Sequence, residues 1–522
     1  MGLRPALAAV LAFVAVPAAA HAAACPQRLD PADLASVGEL RRLNAVEARL
    51  GARPTGSAAQ ARFVRWIERQ ARAVSGMEVR AVPYRIRRWD ATEVRLEAGD
   101  HPVPVAGPVP YAASGDARGP LTYLPAGTPI TAENSAGRIV LRDSLPGSVP
   151  FAVFQPGALG YDVYDPRNTL VGDFERDFLS SPIEDLRAAA RAGARAVLFA
   201  RDVPHPQAEG LLKPYEGVQW DVPAAYLGVD QGQRLKDLVA ADPGAQARLL
   251  LEARRTPVTT RSIIATLPGA RAQKVAVESH TDGANALWDN GPIAMLAMAR
   301  ALADLPRACR PRTIEFNFVT GHLYQRLVSP EIRDGGAERT AARLDREFER
   351  GEAVGALVLE HLGAREYAGV PRPGRPGVEL RPTGEPEPLL VPVSDSAALR
   401  ALVAREVRRQ RLDRTAVIVG ADAPDPERVP PHCSFGGEGT PYNYHLVPVV
   451  APIAAPRILF SPAFGLEAID FRLMRRQTIA FTDVLLAMSR MSRRAIAGNV
   501  LDLRERRAAG APGCPVPTLD EL

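Results

Sequence analysis

Histidine and carboxylate side chains follow three predicted strands of this 522-residue sequence. Neutral imidazole and carboxylate are the groups that zinc and similar divalent ions prefer as ligands. The chain has eight histidines, and three of them stand at these strand ends beside carboxylates, more than scattered placement would give. The residues concerned are His280, Asp282 and Asp289 after the first strand, His322 after the second, and Glu360 and His361 after the third.

The three strand ends are expected to face one crevice, because the carboxyl ends of parallel strands meet at the same edge of a sheet. In that arrangement Asp289 would ligate one metal ion or bridge two. Asp282 would accept a hydrogen bond from the far nitrogen of His280 and fix its tautomer. A single histidine at a strand end is more often hydrogen-bonded structure than a ligand, and Glu360 alone would pair with an arginine. The combination is what indicates a metal or catalytic site.

A glycine-rich segment at 436–445 precedes another strand-like run, 447–453. Glu438, Tyr442 and His445 lie on it and are candidate substrate-binding residues. Such a loop often forms one wall of a substrate site, although a plain turn explains the same composition equally well.

The elements around these residues alternate between strand and helix from residue 256 to residue 495. Such alternation predicts an α/β fold, a mainly parallel mixed sheet flanked by helices. Residues 25–106 read as two amphipathic helices and a strand that belong to the same domain. Residues 107–255 are rich in proline and glycine and predict a small inserted β/α domain, and residues 496–522 are expected to form a C-terminal tail.

The composition is that of a globular protein, with 46% apolar and 24% charged residues. The formal net charge of +5 comes from scattered arginine, because lysine occurs only at positions 213, 236 and 274. No basic run with interleaved aromatic residues is present, so nucleic acid is not an expected partner.

Residues 1–24 predict a secretory signal peptide: Arg4, an apolar core and small residues before Cys25. The expected location is therefore secreted or periplasmic, with lipid attachment at Cys25 as the alternative. No segment of the sequence is long and apolar enough to span a membrane. The mature chain would keep four cysteines, which allow two disulfides in any of three pairings. Cys25 and Cys514, near opposite ends of the chain, are one candidate pair.

The stretch from His280-Thr281-Asp282 to Asp289-Asn290-Gly291, followed by an apolar helix, resembles the zinc aminopeptidases and glutamate carboxypeptidases of peptidase clan MH. The segment 53–57 (RPTGS) and the helix after it look like the N-terminal segment of that family. Residues 107–255 resemble the protease-associated (PA) domain inserted in many members. The resemblance covers nearly the whole mature chain and implies a metal-dependent hydrolase of amide or peptide bonds.

The sequence departs from the family at the metal site. Gly321 stands where the family has the glutamate that acts as general base, and His322 stands where it has a glutamate ligand. Glu360 replaces an aspartate ligand, and the segment 456–462 lacks the family's last histidine ligand. The resemblance therefore implies one zinc ion rather than two, held by His280, Asp289, His322 and Glu360.

The base would come from Glu360, His361, Glu438 or His445, with Asp282 supporting the catalytic group. The expected partner is a peptide or small amide substrate, and the oligomeric state stays open. The alternative is a catalytically inactive relative that serves as a binding or interaction module.

Overall fold

The computed structural model describes residues 25–99, 101–213, 220–324, 326–329, 332–420 and 435–511. The predicted signal peptide and most of the predicted tail lie outside these residues. The described strands form a sixteen-stranded sheet and three two-stranded ribbons. Helices cover the large sheet, and its strands are mostly parallel in each half, so the α/β prediction is confirmed.

The N-terminal region contributes two helices and two strands, which are α1 Val37–Ala48, α2 Ala58–Arg72, β1 Glu78–Ala98 and β2 His101–Val103. Both helices begin at a serine whose hydroxyl accepts a hydrogen bond from the backbone three residues on, Ser36 from Glu39 and Ser57 from Gln60. The break between them carries Arg53, which lies in the protein interior.

The region after it contains short strands and helices. They are β3 Gly107–Pro108, β4 Gly115–Leu124, α3 Ala132–Ser135, β5 Ile139–Ser144, β6 Gly147–Pro150, β7 Gly160–Tyr164, β8 Asp173–Arg176, α4 Ile183–Arg191, β9 Ala196–Arg201, α5 His205–Ala208, β10 Ala224–Leu227, α6 Val229–Ala241 and β11 Gln246–Leu267.

The C-terminal half contains the remaining elements. They are β12 Arg271–His280, α7 Gly291–Ala303, β13 Arg312–Val319, β14 Arg326–Ser329, β15 Ile332–Asp334, α8 Gly336–Glu349, β16 Ala353–Val358, β17 Arg365–Pro371, β18 Val378–Pro386, β19 Leu389–Val393, α9 Ala397–Arg409, β20 Thr415–Val419, α10 Gly439–Tyr444, β21 Val449–Val450, β22 Ile453–Ala454, α11 Phe471–Arg490, α12 Arg493–Ala497 and α13 Val500–Ala508.

The centre of the large sheet is the parallel run β13-β12-β16-β21. Residues 275–280 of β12 and all of β16 are buried, as expected for parallel strands covered on both faces. The helix α7 is buried along almost its whole length, which agrees with its nearly uninterrupted apolar sequence. These strands therefore end at one edge, where the predicted site residues stand.

Residues 107–255, predicted to be an inserted domain and called the insert below, add the parallel strands β4, β5, β9 and β10 to the same sheet. The long strand β11 joins the two halves, and the predicted boundary at residue 255 falls inside it. The insert also returns to the far edge of the main sheet, where β7 pairs antiparallel with β20. Phe151, Phe154 and Phe174 pack there against Ile418. Residues 147–179 are therefore part of the wall of the main domain.

The N-terminus of the described chain is tied to the main domain by a disulfide between Cys25 and Cys309. This is one of the pairings that the sequence left open, and it rules out the candidate pair Cys25–Cys514. Cys433 and Cys514 lie outside the described residues. The helix α13 lies within the segment predicted to be a tail. Among the described helices, none is long and apolar enough to cross a membrane.

Candidate metal centre

The structure brings together His280, from the end of β12, with Glu360 and His361, from the loop after β16. All three side chains are buried, and their potential ligand atoms lie within 4.8 Å of one another. Oε2 of Glu360 is 3.8 Å from Nε2 of His280 and 3.8 Å from Nε2 of His361. Two imidazoles and one carboxylate thus face a common point, as the strand ends predicted.

Backbone carbonyls fix the tautomer of both histidines. Nδ1 of His280 lies 2.8 Å from the carbonyl oxygen of Asp282, and Nδ1 of His361 contacts that of Ala454. A carbonyl can only accept, so each Nδ1 carries the hydrogen and each Nε2 presents its lone pair. Neither Nε2 atom has a hydrogen-bond partner in the described chain, although both are buried. Such orphaned lone pairs fit a metal ion.

The loop at Gly437 holds the carboxylate of Glu360 in place. The backbone N–H of Glu438 donates to Oε1 of Glu360 at 2.8 Å, which leaves Oε2 facing the two histidines. Gly437 has φ of +50°, and a Cβ on it would lie 2.0 Å from Oε1 of Glu360. His361 itself adopts φ of +56°, a conformation that is uncommon outside glycine and concentrates at functional sites.

Burial controls the protonation of the three groups. It lowers the pKa of His361 to about 3, and burial together with His322 and His361 lowers the pKa of His280 well below its usual value. Burial raises the pKa of Glu360 to about 8. The imidazoles are therefore neutral, as ligation requires, and a divalent cation would supply the charge that stabilises the Glu360 carboxylate.

His322 stands beside this group but has another partner. Its ring stacks on that of His280 with centroids 4.1 Å apart, and its Nδ1 lies 2.6 Å from Oε1 of Glu438. Burial alone would lower the pKa of His322, but the adjacent Glu438 carboxylate outweighs it and raises that pKa to about 9. The sequence predicted His322 to be a metal ligand. The structure places it in a charged pair with Glu438, next to His280, Glu360 and His361, which are called the ligand group below.

Asp282 contacts His280 in a different way from the one predicted. Its backbone carbonyl, not its carboxylate, accepts the hydrogen bond from His280. Oδ2 of the carboxylate accepts hydrogen bonds from Thr55 and from the backbone N–H of Leu323, and Oδ1 is buried without a hydrogen-bond partner among the described residues. Burial raises the pKa of Asp282 to about 6. The carboxylate therefore ties the loop after β12 to residues 55 and 323.

Asp289, assigned as a ligand, is held by Arg53. Both of its carboxylate oxygens accept from that guanidinium, Oδ2 from Nε at 2.8 Å and Oδ1 from Nη2. Neither side chain has exposed surface. The structure does not bring Asp289 into the group of His280, Glu360 and His361.

Two of the three predicted substrate-binding residues lie away from the site. The segment after Glu438 forms the short helix α10, whose side chains turn toward α8 instead of standing on an open loop. Tyr442 is fully buried, and its hydroxyl donates to Glu278. His445 lies 2.6 Å from Oε1 of Glu338 and 3.5 Å from Oδ2 of Asp345, both on α8. Glu438, just before the helix, is the one that reaches the site.

A cavity of about 540 Å³ opens onto the ligand group. His322, Glu360 and His361 line one end of it together with Trp288, whose ring edge contacts His322 at a centroid distance of 5.9 Å. Trp288 was not among the predicted site residues, although its place beside Asp289 was a signal. The side chains of residues 149–179 that line this cavity were not predicted either, because the sequence offers no motif for them.

Gly321, which the sequence resemblance aligned with the general base of the zinc aminopeptidases, has φ of +99°. A Cβ at this position would lie 2.9 Å from Cε1 of Tyr84. An L-residue is strained in that conformation, so a glutamate cannot stand here without a change of backbone.

Comparison with known proteins finds similar solved structures but no matching family profile or curated protein. Among solved structures, BSAP, a zinc aminopeptidase from Bacillus subtilis, matches with a TM-score of 0.58 and 16% identity over 88% of this chain and 94% of that one. An aminopeptidase from Aneurinibacillus sp. strain AM-1 matches with a TM-score of 0.54 and 17% identity over 88% and 93%. A peptidase M28 precursor from Shewanella amazonensis SB2B matches with 0.54 and 14% over 87% and 97%. The chain therefore shares its fold with these structures over 87–88% of its length.

Proposed function

We propose that this chain is an exported zinc-dependent hydrolase of amide or peptide bonds with a single metal ion, held by His280, Glu360 and His361. The observation that carries the proposal is the pair of buried Nε2 atoms, both without partners, that face the Glu360 carboxylate at the end of a cavity. Catalytic zinc sites use three protein ligands of this kind and keep a fourth position open for water or substrate. The fold shared with zinc aminopeptidases supports the same class of reaction.

Asp289 supports one metal ion rather than two. Both oxygens of Asp289 accept hydrogen bonds from the guanidinium of Arg53. The guanidinium already supplies the positive charge beside that carboxylate. A second cation at this point would have to displace a fully buried arginine.

A zinc ion in the site would act as a Lewis acid that polarises the substrate carbonyl and lowers the pKa of water. The backbone of this chain orients the proposed ligands. The carbonyls of Asp282 and Ala454 aim the imidazoles, and the N–H of Glu438 aims Glu360. His322 lines the cavity, and because Glu438 keeps it protonated, its ring holds a proton for the leaving nitrogen.

Metal content tests the proposal directly. After dialysis against zinc and then against buffer, we expect about one zinc ion per chain in the wild type and a loss of at least about tenfold in zinc affinity in His361→Ala. His101→Ala is the matched control, because His101 is exposed on β2. Equal zinc content in the wild type and His361→Ala would contradict the assignment of His361.

Hydrolysis separates the active enzyme from the inactive alternative. If zinc binds as expected, a panel of dipeptides and acylated amino acids should be cleaved by the wild type and much more slowly by His361→Ala. Stoichiometric zinc without cleavage of any panel member above the His361→Ala rate would favour the inactive binding module.

The disulfide between Cys25 and Cys309 supports export, because such bonds persist in oxidising compartments. We propose removal of residues 1–24, and the mass of the N-terminal peptide from the native host tests this proposal. An N-terminal peptide that begins at Cys25 and carries no lipid fits secretion, and a lipid-modified Cys25 fits the lipoprotein alternative.

We also propose that residues 107–255 are a PA-type insert. The parallel run β4-β5-β9-β10 with α4 and α6 supports that assignment.

A further inference from the structure

The wall of the cavity opposite the ligand group comes from the inserted region. Six side chains between residues 149 and 179 line it, and all are apolar: Val149, Val153, Phe154, Leu159, Phe178 and Leu179. The pairing of β7 with β20 and the packing of Phe154 against Ile418 fix this segment to the main sheet. The cavity is therefore a built site, shared by two parts of the chain.

Apart from Glu360, which we propose as a metal ligand, the described lining of the cavity offers no carboxylate to a positively charged group. Among its described lining residues, the only titratable side chains are His322, Glu360 and His361. Glu360 faces the two histidines, and Glu438 behind it is paired with His322. An ammonium group beside the scissile bond would lose its water and gain no partner, which is costly in an apolar cavity.

The size and surroundings of the cavity suit an apolar group. A volume of about 540 Å³ lies within the range of small-molecule sites. Four of the six exposed large hydrophobic side chains among the described residues belong to the insert, and one of these four, Phe178, lines the cavity. An exposed apolar side chain at a cavity is available to an apolar ligand.

We propose that the substrate is an amide whose acyl part is apolar and carries no free α-amino group, and that the six lining side chains of the insert form the pocket for that acyl part. This inference rests on the proposed hydrolase function. The reaction adds one water: the C–N bond breaks, oxygen from water joins the acyl carbon, and the nitrogen leaves as an amine with the proton from water. The products are an apolar carboxylic acid and an amine.

Two substrates that differ only in the α-amino group test the inference. They are L-leucyl-L-alanine and 4-methylpentanoyl-L-alanine, which has hydrogen in place of that amine. We expect kcat/KM of the zinc-loaded protein to be about tenfold or more higher for 4-methylpentanoyl-L-alanine. A ratio below about threefold, or a preference for L-leucyl-L-alanine, overturns the inference and leaves the hydrolase function intact.

A charge placed in the wall should change that preference. Phe178→Asp adds a carboxylate to the cavity, and Val171→Asp is the matched control on the same segment, outside the cavity lining. Both side chains are partly exposed, 39% and 60%, so both variants should fold. We expect Phe178→Asp to lower the ratio of the two kcat/KM values at least about fivefold and Val171→Asp to leave it unchanged; equal ratios in the two variants overturn the role of the insert.

A binding measurement separates this inference from the proposed function. Octan-1-ol and octylammonium have the same chain and differ in charge, and calorimetric titration of the protein as purified needs no catalysis. We expect octan-1-ol to bind at least about tenfold more tightly in the wild type, and this preference to fall in Phe178→Asp. A preference for octan-1-ol without hydrolysis of any amide would contradict the proposed hydrolase function and support the apolar pocket. Equal binding of the two ligands would contradict the apolar pocket.

Discussion

Arg53 donates hydrogen bonds to both carboxylate oxygens of Asp289 in the protein interior, where neither side chain has exposed surface. The same guanidinium reaches Oε1 of Glu47 at 3.1 Å and the carbonyl of Asn285 at 2.8 Å. Burial, and then the charge of Asp289, raises the pKa of Glu47 well above its usual value. The cluster is therefore one cation and one carboxylate with a protonated Glu47, and it ties the break between α1 and α2 to the loop that follows His280.

Removing the cation should leave Asp289 as an uncompensated buried charge. We expect Arg53→Met to lower the free energy of unfolding by about 3–5 kcal/mol, measured by urea denaturation. Arg350→Met is the control, because Arg350 and its partner Glu352 are both more than half exposed, and it should leave the free energy of unfolding almost unchanged. The double variant Arg53→Met/Asp289→Leu should recover much of the loss; no recovery would mean that Asp289 is not the group that needs the cation.

A methyl group at Gly437 should disturb the metal ligand that the loop holds. The added Cβ would lie 2.0 Å from Oε1 of Glu360, so the carboxylate or the loop must move. We expect Gly437→Ala to weaken zinc binding about tenfold or more, measured by competition with a chelator. Gly374→Ala is the matched control, since Gly374 also has a positive φ, +68°, and nothing within 4 Å of its Cβ position. Equal zinc affinity in both variants would show that backbone strain alone, not contact with Glu360, is what the substitution introduces.

The convergence of His280 with Glu360 and His361 was predictable, because their types stand directly after buried parallel strands. The pairing of Asp289 with Arg53 was not predictable, because Arg53 is 236 residues away in sequence and the segment around Arg53 has no catalytic pattern. The composition of the glycine-rich segment predicted a loop. The structure has the short helix α10 there, and His445 at its end contacts α8. Such outcomes depend on long-range packing, which residue types and spacing do not encode. The same holds for the return of β7 to the main sheet, which gives the cavity its apolar wall.

The disulfide between Cys25 and Cys309 should stabilise the folded chain by restricting the unfolded one, because it joins residues 284 positions apart. We expect Cys25→Ser/Cys309→Ser to lower the free energy of unfolding by about 2–4 kcal/mol in urea denaturation. Adding a reductant to the wild type should lower its stability, and adding it to the double variant should have a smaller effect. An equal loss in both would place the sensitive bond elsewhere in the chain.

His445 should make stability depend on pH. Burial alone would lower the pKa of this imidazole, but hydrogen bonds to Asp345 and Glu338 on α8 raise it to about 9, while Arg504 and Arg507 on α13 donate to its backbone carbonyl. A raised pKa means that the folded state binds the proton more tightly than the unfolded state, whose imidazole titrates near pH 6.5. The stabilisation is therefore complete below about pH 6.5 and is lost as the pH rises through about 9.

The variant His445→Gln removes this contribution while keeping a polar side chain of similar size. We expect it to be less stable than the wild type by about 1–3 kcal/mol at pH 6 and by much less at pH 9.5, measured by urea denaturation at both values. The comparison with the wild type is needed because burial lowers the pKa of Lys213 to about 7, which makes stability rise with pH over part of the same window. That opposing effect is common to both proteins and cancels in their difference. A difference that stays constant from pH 6 to pH 9.5 would mean that His445 acts through packing and not through its charge.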